Sequence, residues 1–266
     1  MAQAAGKVAV ACHHLRTGER WALGDAVFPA ASLIKVHLAI AAYRAAEHGA
    51  LDLEETVTVP PLAADDEAEF DNLGLAPAGT RFTWRKILDR MLTESDNAAT
   101  NLVIDRLGMG AIEGLVERLG LTGTALRRRM LDVAAREAGH ENTTTAADME
   151  RLLTGLAAGE LLSAAHTQEL LGLLGQQRDR DKLAAGLPRG AAFAHKTGEL
   201  PGDRHDAGLV DGRWVVVALA EGGAEADGLL ARIAEVLAAH FRAAEHAFDR
   251  VASWLADERT RLIPDP

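Results

Sequence analysis

Hydrophobic and polar residues alternate near both ends of the chain, which is the pattern of half-buried β-strands. Towards the amino terminus the alternation spans residues 7–26 and is interrupted by a turn at residues 16–19. Towards the carboxyl terminus three strand-like stretches follow Gly190, and Asp211-Gly212 between the last two is a strong hairpin signal. We therefore predict that both ends of the chain contribute strands.

The middle of the chain instead shows the spacing of amphipathic helices. We predict one helix over residues 32–49, two or three more over residues 83–119, and others that begin at Thr145 and Ser163. Asp148 follows Thr145 with the spacing of a capping box. A last helix follows the strands, and its apolar face is predicted to consist of Leu229, Ile233, Val236, Leu237 and Phe241.

Strands at both ends with helices between them indicate an α+β fold, a three-layer α/β arrangement. We predict an antiparallel sheet built from both termini and flanked by helices, with an all-helical domain inserted. The sheet domain comprises residues 1–50 and 185–266 in this prediction, the insertion comprises residues 51–184, and the active site lies in the seam. The other segments are predicted as a short strand (residues 55–59) and two loops (residues 63–79 and 121–142).

The composition excludes several classes of protein. Asp and Glu number 39 against 28 Lys and Arg, a net charge of −11, which argues against nucleic-acid binding because such proteins need a basic face. The single cysteine, Cys12, excludes an internal disulfide and any C-x-x-C site. No apolar run approaches the roughly 18 residues that a membrane-spanning helix needs, so no membrane span is predicted.

The sequence leaves the compartment open. Its first residues do not join a basic segment to an apolar one, so no export signal is predicted. As written the chain is expected to be cytoplasmic, whereas it is secreted or periplasmic if a leader has been removed. Its oligomeric state is open too, with a monomer as the expectation.

The first candidate motif is an S-x-x-K pair made by Ser32 and Lys35. On a helix this spacing places both side chains on one face, about one turn apart. Free N–H groups in the first helical turn favour a developing oxyanion, and a lysine of lowered pKa can take the proton of a serine hydroxyl. Alone the pair is weak evidence, because a chain of this length holds about one by chance.

The second motif is Ser95-Asp96-Asn97, directly before a predicted helix. Serine, aspartate and asparagine are all preferred N-cap residues, so helix capping is one interpretation. In the other interpretation the Ser95 hydroxyl relays a proton to a leaving group, while the Asn97 amide holds a substrate carbonyl.

The third motif is Lys196-Thr197-Gly198, at the end of a predicted strand. A strand that ends in a turn is the simplest interpretation. Alternatively, the missing side chain of Gly198 lets an extended substrate lie along the strand while Lys196 pairs with its carboxylate. Because each tripeptide is rare by chance and all three motifs occur in order, we interpret them as one site.

The order S-x-x-K, S-D-N and K-T-G resembles that of class A β-lactamases and the penicillin-recognising serine hydrolases. The likeness extends over nearly the whole chain. Residues 93–102 resemble the family's S-D-N helix, residues 142–145 the end of its active-site loop, and residues 195–198 with 215–217 a hairpin of its sheet. The resemblance implies the family's fold and a serine hydrolase that forms a covalent acyl-enzyme with a β-lactam or a related carboxylate-bearing amide or ester.

The resemblance also implies a role for each residue of the reacting centre. Ser32 would be the acylated nucleophile, Lys35 its base, and Ser95 the donor of a proton to the leaving nitrogen. The backbone N–H groups of Ser32 and Glu199 would form the oxyanion hole.

Substrate binding is implied for a second set of residues. Asn97 would bind the acyl amide, and Lys196 and Thr197 would bind the carboxylate beside Gly198. Arg204 on the following strand would add a positive charge, so a locally cationic pocket is expected.

One segment departs from the family pattern. Class A enzymes carry an E-x-x-L-N segment whose glutamate activates the water that releases the acyl group, and no such segment occurs in this chain. The corresponding stretch best matches residues 128–132, which places Arg128 where the glutamate would stand. The available carboxylates are Asp132, Glu137 and Glu141, and the sequence does not choose among them. The acylation residues are thus present, whereas the deacylation residues are altered.

No metal or other cofactor is predicted, since the ten histidines include no H-E-x-x-H and no glycine-rich nucleotide fingerprint occurs. The expected partner is a small-molecule substrate. Three functions stay open: a hydrolase of β-lactam-like substrates, a peptidase, esterase or acyltransferase that β-lactams inhibit, and a penicillin-binding sensor without turnover.

Overall fold

The computed structural model describes residues 6–59, 77 and 79–262. Its amino-terminal strands are β1 (Val8–His14) and β2 (Arg20–Leu23), followed by a short β3 (Phe28–Pro29). Its carboxyl-terminal strands are β7 (Phe193–Leu200), β8 (Asp203–Val210) and β9 (Trp214–Glu221).

The five longer strands form one antiparallel sheet of order β2-β1-β9-β8-β7. Strand β1 pairs with β9 along its whole length, so the two ends of the chain meet inside the sheet. The predicted hairpin turn is confirmed, because Asp211 and Gly212 both have positive φ angles (50° and 65°), as a two-residue type I′ turn requires. The predicted fold class, an antiparallel sheet built from both termini, is confirmed.

The helices have the following bounds. A 3-10 turn (Ala31–Leu33) leads into α1 (Ile34–Glu47), and the middle of the chain contains α2 (Trp84–Thr93), α3 (Asn97–Leu107), α4 (Glu113–Leu119), α5 (Val133–Glu137), α6 (Ala146–Ala157), α7 (Ala164–Leu174) and α8 (Leu183–Gly186). The last helix is α9 (Glu225–Leu262). Thr145 and Ser163 cap α6 and α7 as predicted, because each side chain accepts a hydrogen bond from a backbone N–H of the first turn.

Two hydrophobic clusters cover the two faces of the sheet, because successive residues of a strand point to opposite faces. Val215 and Val217 of β9 pack with residues of α1 and α6 in the larger cluster, which continues through the helical middle of the chain. Val216 packs with Leu230 and Phe241 of α9 in the other cluster. The sheet therefore lies between two helical layers.

The middle of the chain contains three short strands; the first lies within the strand predicted over residues 55–59, and the other two depart from the all-helical prediction. Strand β4 (Thr56–Thr58) pairs with β5 (Arg81–Thr83), and β6 (Thr143–Thr144) pairs with β3. Helix α5 lies inside a segment predicted as a loop, and the Asp132 side chain caps its amino end by accepting from the N–H of Ala135. The division into a sheet domain and a helical insertion stays a prediction, and the predicted loop over residues 63–79 lies almost wholly outside the described residues.

The predicted apolar face of α9 is wrong in part. Leu229 and Val236 are exposed, whereas Leu237 and Phe241 are buried together with Leu230. The buried face also contains three alanines, which the periodicity argument had not counted: Ala226, Ala234 and Ala238. Among the described residues, no helix is both long and apolar enough to cross a membrane.

Candidate active site

Ser32 lies half-buried in the 3-10 turn that leads into α1, and not in the helix itself as the sequence had indicated. Its neighbour Ala31 has a φ of 46°, in the left-handed region that residues with a Cβ rarely adopt. Backbone hydrogen bonds hold this turn, since Ala30 donates to Asn142 O (2.7 Å) and Leu33 donates to Ala30 O (3.0 Å). The strain is therefore held directly beside the predicted nucleophile, as is common at functional sites.

Lys35 connects the first two motifs. It is fully buried on α1, and its Nζ donates to Ser95 Oγ (3.1 Å), Ser95 O (2.5 Å) and Asn97 Oδ1 (2.8 Å). Lys35 lies three residues after Ser32 along the chain, in the first turn of α1, and its amine contacts the S-D-N motif. A proton accepted by Lys35 can therefore pass to Ser95 through an existing hydrogen bond.

The S-D-N segment supports both interpretations of its sequence. Asp96 caps α3, since its carboxylate accepts from the N–H of Ala99 (2.9 Å). Ser95 has a φ of 60°, and this left-handed conformation turns the chain just before the helix. The cap holds the segment in place, and the residues on either side of Asp96 contact Lys35.

The K-T-G motif lies on β7, next to the turn that carries Ser32. A Cβ at Gly198 would lie 3.2 Å from the Cβ of Ala31 and 3.4 Å from the carbonyl oxygen of Ala30. Such contacts are tighter than ordinary van der Waals packing, so glycine allows the strand to approach the turn. The structure thus brings the third motif beside the first, as the sequence predicted.

Lys196 is fully buried, and its Nζ donates to Thr197 O (2.9 Å). Burial lowers the pKa of Lys196 to about 7, although the nearby carboxylates of Asp206 and Asp179 act in the opposite direction. Lys196 therefore changes its charge near neutral pH. Asp206 is itself fully buried and lies 2.8 Å from Nδ1 of His195.

The surroundings of K-T-G are charge-compensated and not cationic, contrary to the expectation from the sequence. Arg204 donates to Leu200 O (2.8 Å) and Asp203 O (2.9 Å), and its Nε lies 3.6 Å from Asp227. The side chain of Glu199 accepts a hydrogen bond from Lys182. Its predicted part in the oxyanion hole uses only the backbone N–H.

Two residues near K-T-G were missed by the sequence argument. Asp179 lies beside the side chain of Thr197, and Lys182 lies 2.6 Å from Asp179. They belong to no motif. The one feature of the sequence that could have indicated them is a lysine preceded by aspartates in the short connection between two helices. Their proximity to K-T-G depends on tertiary structure.

The loop that lacks the family's glutamate is held by its own side chains. Arg128, at the position expected for that glutamate, is buried and forms an ion pair with Glu141 (2.7 Å). Asn142 Oδ1 accepts from the N–H groups of Arg127 (2.7 Å) and Arg128 (3.0 Å). Arg128 thus joins the beginning of the loop to its end through Glu141.

The three candidate carboxylates of this loop have different environments. Asp132 caps α5, and Glu141 is paired with Arg128, so both carry structural contacts. Glu137 lies exposed on α5. Two residues before Asp132, the backbone of Met130 is bonded to Asn101 of α3, which donates to Met130 O (3.1 Å) and accepts from Met130 N (2.8 Å), and these bonds tie the loop to the S-D-N helix.

Comparison with known proteins points to one family. The model of the Beta-lactamase enzyme family matches residues 1–241. A β-lactamase from Streptomyces albus G is 28% identical over 232 residues, which is 80% of this chain and 73% of that protein.

Solved structures agree with this match. PBP-A has a TM-score of 0.82 at 28% identity, covering 91% of this chain and 92% of PBP-A. A leucine-to-glutamate variant of PBP-A, solved as an acyl-enzyme complex with penicillin G, has a TM-score of 0.81 at 28% identity over 90% and 92% of the two chains. A β-lactamase from Chitinophaga pinensis has a TM-score of 0.80 at 26% identity over 88% and 94%.

Proposed function

Because the chain belongs to the β-lactamase enzyme family, and is on that ground a serine hydrolase of the β-lactamase type, we propose that Ser32 forms a covalent acyl-enzyme with its substrate. The substrate class is a β-lactam or a related carboxylate-bearing amide or ester. The observation that carries this proposal is the buried amine of Lys35, which hydrogen-bonds both Ser95 and Asn97 and lies on the helix that directly follows the turn of Ser32.

Acylation requires the unprotonated form of Lys35, which takes the proton of Ser32 while the serine oxygen bonds to the substrate carbonyl carbon. The negative charge that develops on the carbonyl oxygen is stabilised by the backbone N–H groups of Ser32 and Glu199. When the carbon–nitrogen bond breaks, Ser95 protonates the leaving nitrogen. Lys35, 3.1 Å from Ser95 Oγ, then returns the proton to Ser95.

Substrate orientation falls to the other motif residues. The Asn97 side-chain amide binds the acyl amide, although its oxygen is shared with Lys35. Lys196 and Thr197 bind the carboxylate along β7, next to Gly198. Water then attacks the acyl carbonyl, the ester bond to Ser32 breaks as one proton of that water passes to the Ser32 oxygen, and the acid product leaves.

Turnover of two chromogenic substrates by wild type and Ser32→Ala tests this proposal. Nitrocefin represents a β-lactam and a p-nitrophenyl ester represents an activated acyl group. We expect hydrolysis by the wild type and a loss of about 10⁴-fold or more in the variant, as is usual when a nucleophile is removed. Equal rates in the two proteins would contradict the proposal.

A second function is favoured by the Arg128–Glu141 ion pair, which stands where the family's deacylating glutamate is expected. In this alternative the same centre serves a peptidase, esterase or acyltransferase, or a sensor, and β-lactams acylate it without rapid release. Intact mass measured over time after penicillin G is added separates the two. A persistent adduct supports the alternative, and a rapid return to the unmodified mass supports β-lactam hydrolysis.

A further inference from the structure

Helix α9 is much longer than the sheet on which it packs. It contains 38 residues and is about 57 Å long, whereas the 8 residues of β9 span about 26 Å. Near its middle, Phe241 stacks on His14 and packs against Trp214, which pair with each other at one end of the sheet. Because α9 begins at the opposite end of β9, residues 242–262 run past the sheet for about 32 Å. We call residues 242–262 the extension.

The part of α9 that packs on the sheet has a regular apolar face. Leu230, Ala234, Leu237 and Phe241 are all buried, and they follow one another in steps of four, three and four residues. Such steps keep one face of a helix apolar, as the a and d positions of a coiled coil do. Packing against the sheet accounts for this face as far as Phe241, where the sheet ends.

The sequence of the extension continues the same repeat without a change of register. Further steps of three and four residues from Phe241 reach positions 244, 248, 251, 255, 258 and 262, and Glu258 is the one polar residue among them. The other five are Ala244, Phe248, Val251, Leu255 and Leu262. A helix of this length is only marginally stable alone in water, so the repeat indicates a partner helix in place of the sheet.

The charge of the extension favours a protein partner over a membrane surface. The extension contains four arginines, four acidic residues and no lysine, so its net charge is zero, whereas the whole chain has a net charge of −11. Amphipathic helices that lie on anionic membranes are rich in lysine and arginine on the polar face, and the extension has no such excess. Two copies of a neutral segment that carries both signs approach each other without net repulsion.

The extension also lies outside the part of the chain that the family shares, because the family match ends at residue 241. None of the motif residues of the active site belongs to it. Its apolar repeat therefore needs an explanation other than the chemistry at Ser32.

We propose that residues 242–262 are a dimerisation helix, which pairs along its apolar repeat with the same helix of a second copy of this chain. Identical repeats meet in such a pair, and this is the self-complementary interface that a two-fold dimer requires. The proposal replaces the monomer expected from the sequence with a dimer whose sheets lie outside the helical contact.

Sedimentation equilibrium of the full chain, from about 1 to about 100 µM, tests the proposal. We expect the wild type to reach twice the mass of the 28.2 kDa chain. Val251→Glu places a charge in the repeat of both copies, so its dissociation constant should rise about 100-fold or more. Phe248→Glu should have at least the same effect.

Val236→Glu is the matched control. Val236 lies on the same helix but outside the repeat, and it is 56% exposed, so this variant should dimerise like the wild type. Circular dichroism checks that each variant is folded. The acylation rate with penicillin G, measured per chain, should be the same in Val251→Glu as in the wild type, because the active site does not include the extension.

Three results would overturn the proposal. The first is a wild type that stays monomeric up to about 100 µM, an outcome that does not depend on the folding of any variant. If that monomer sediments with vesicles of phosphatidylglycerol and phosphatidylcholine, the extension is a membrane-binding helix instead. The second is a dimer that both Val251→Glu and Phe248→Glu leave intact. The third is equal dissociation in Val236→Glu, which would place the contact on another face of α9.

Discussion

The two regions that border Ser32 are built differently. On the motif side, Lys35 and Lys196 are fully buried and hydrogen-bonded to residues of the S-D-N and K-T-G segments. On the loop side, Arg128 and Glu141 bind each other where the family pattern expects a carboxylate facing a water molecule. The motif side contains the groups that acylation requires, whereas the ion pair on the loop side stabilises the conformation of the loop.

This difference teaches that the two halves of a serine hydrolase reaction depend on separate parts of the chain. Acylation needs a base, a proton donor and an oxyanion site within hydrogen-bond reach of the nucleophile. Deacylation needs in addition a group that activates water. A chain can therefore retain the first set while the second is altered, and the predictions below test the two regions separately.

The largest expected effect concerns the motif side. Lys35→Met removes the base and the donor to Ser95, so the acylation rate with penicillin G should fall about 10³-fold. The rate is measured by quenching the reaction at successive times and determining the fraction of adduct from the intact mass. A fall of less than about tenfold would show that a group other than Lys35 takes the proton from Ser32.

The next effect concerns the loop side. Arg128→Met leaves Glu141 without its buried partner, so the free energy of unfolding should fall by about 2 kcal/mol, measured by urea denaturation. The acylation rate should stay within about 2-fold of wild type. The matched control is Arg129→Met, because Arg129 pairs with Asp105 at the surface and should cost less than about 1 kcal/mol.

Unchanged stability in Arg128→Met would show that the ion pair does not hold the loop. A large loss of acylation would contradict the separation of the two regions.

The smallest effect is a pH dependence on the motif side. Burial lowers the pKa of Lys196 to about 7, so the residue is charged below that pH and neutral above it. Because kcat/KM reports the free enzyme, its value for a carboxylate-bearing substrate, divided by that for a neutral ester, should fall about fivefold between pH 7 and pH 8. A ratio that does not change with pH would mean that Lys196 does not bind the carboxylate.

The sequence predicted the motif side well because its information is local. Residues three positions apart on a helix face the same way, and S-D-N was recognisable both as a cap and as a catalytic segment. The roles assigned to these residues stay predictions, although the structure brings Lys35 to Ser95 and Gly198 to the turn of Ser32. The hairpin at Asp211 was likewise predictable from two residues.

What the sequence did not predict depends on contacts between distant residues. Asp179 comes beside Thr197, and Lys182 beside Glu199, only when the chain after α7 packs against β7, and no local pattern predicts these contacts. The buried face of α9 was misassigned because its alanines carry little periodic signal, whereas packing against the sheet selects small residues. Arg128 was identified from the sequence, but its partner Glu141 could not be chosen without tertiary structure.

The account's central claim is that Ser32 is the residue that β-lactams acylate. Intact mass followed by peptide mapping after penicillin G is added tests it most directly, with Ser32→Ala treated in parallel. The account predicts one penicilloyl adduct on the peptide that contains Ser32 and none in the variant. An adduct on another residue, an equal adduct in Ser32→Ala, or a wild type that neither binds nor consumes penicillin G would contradict it.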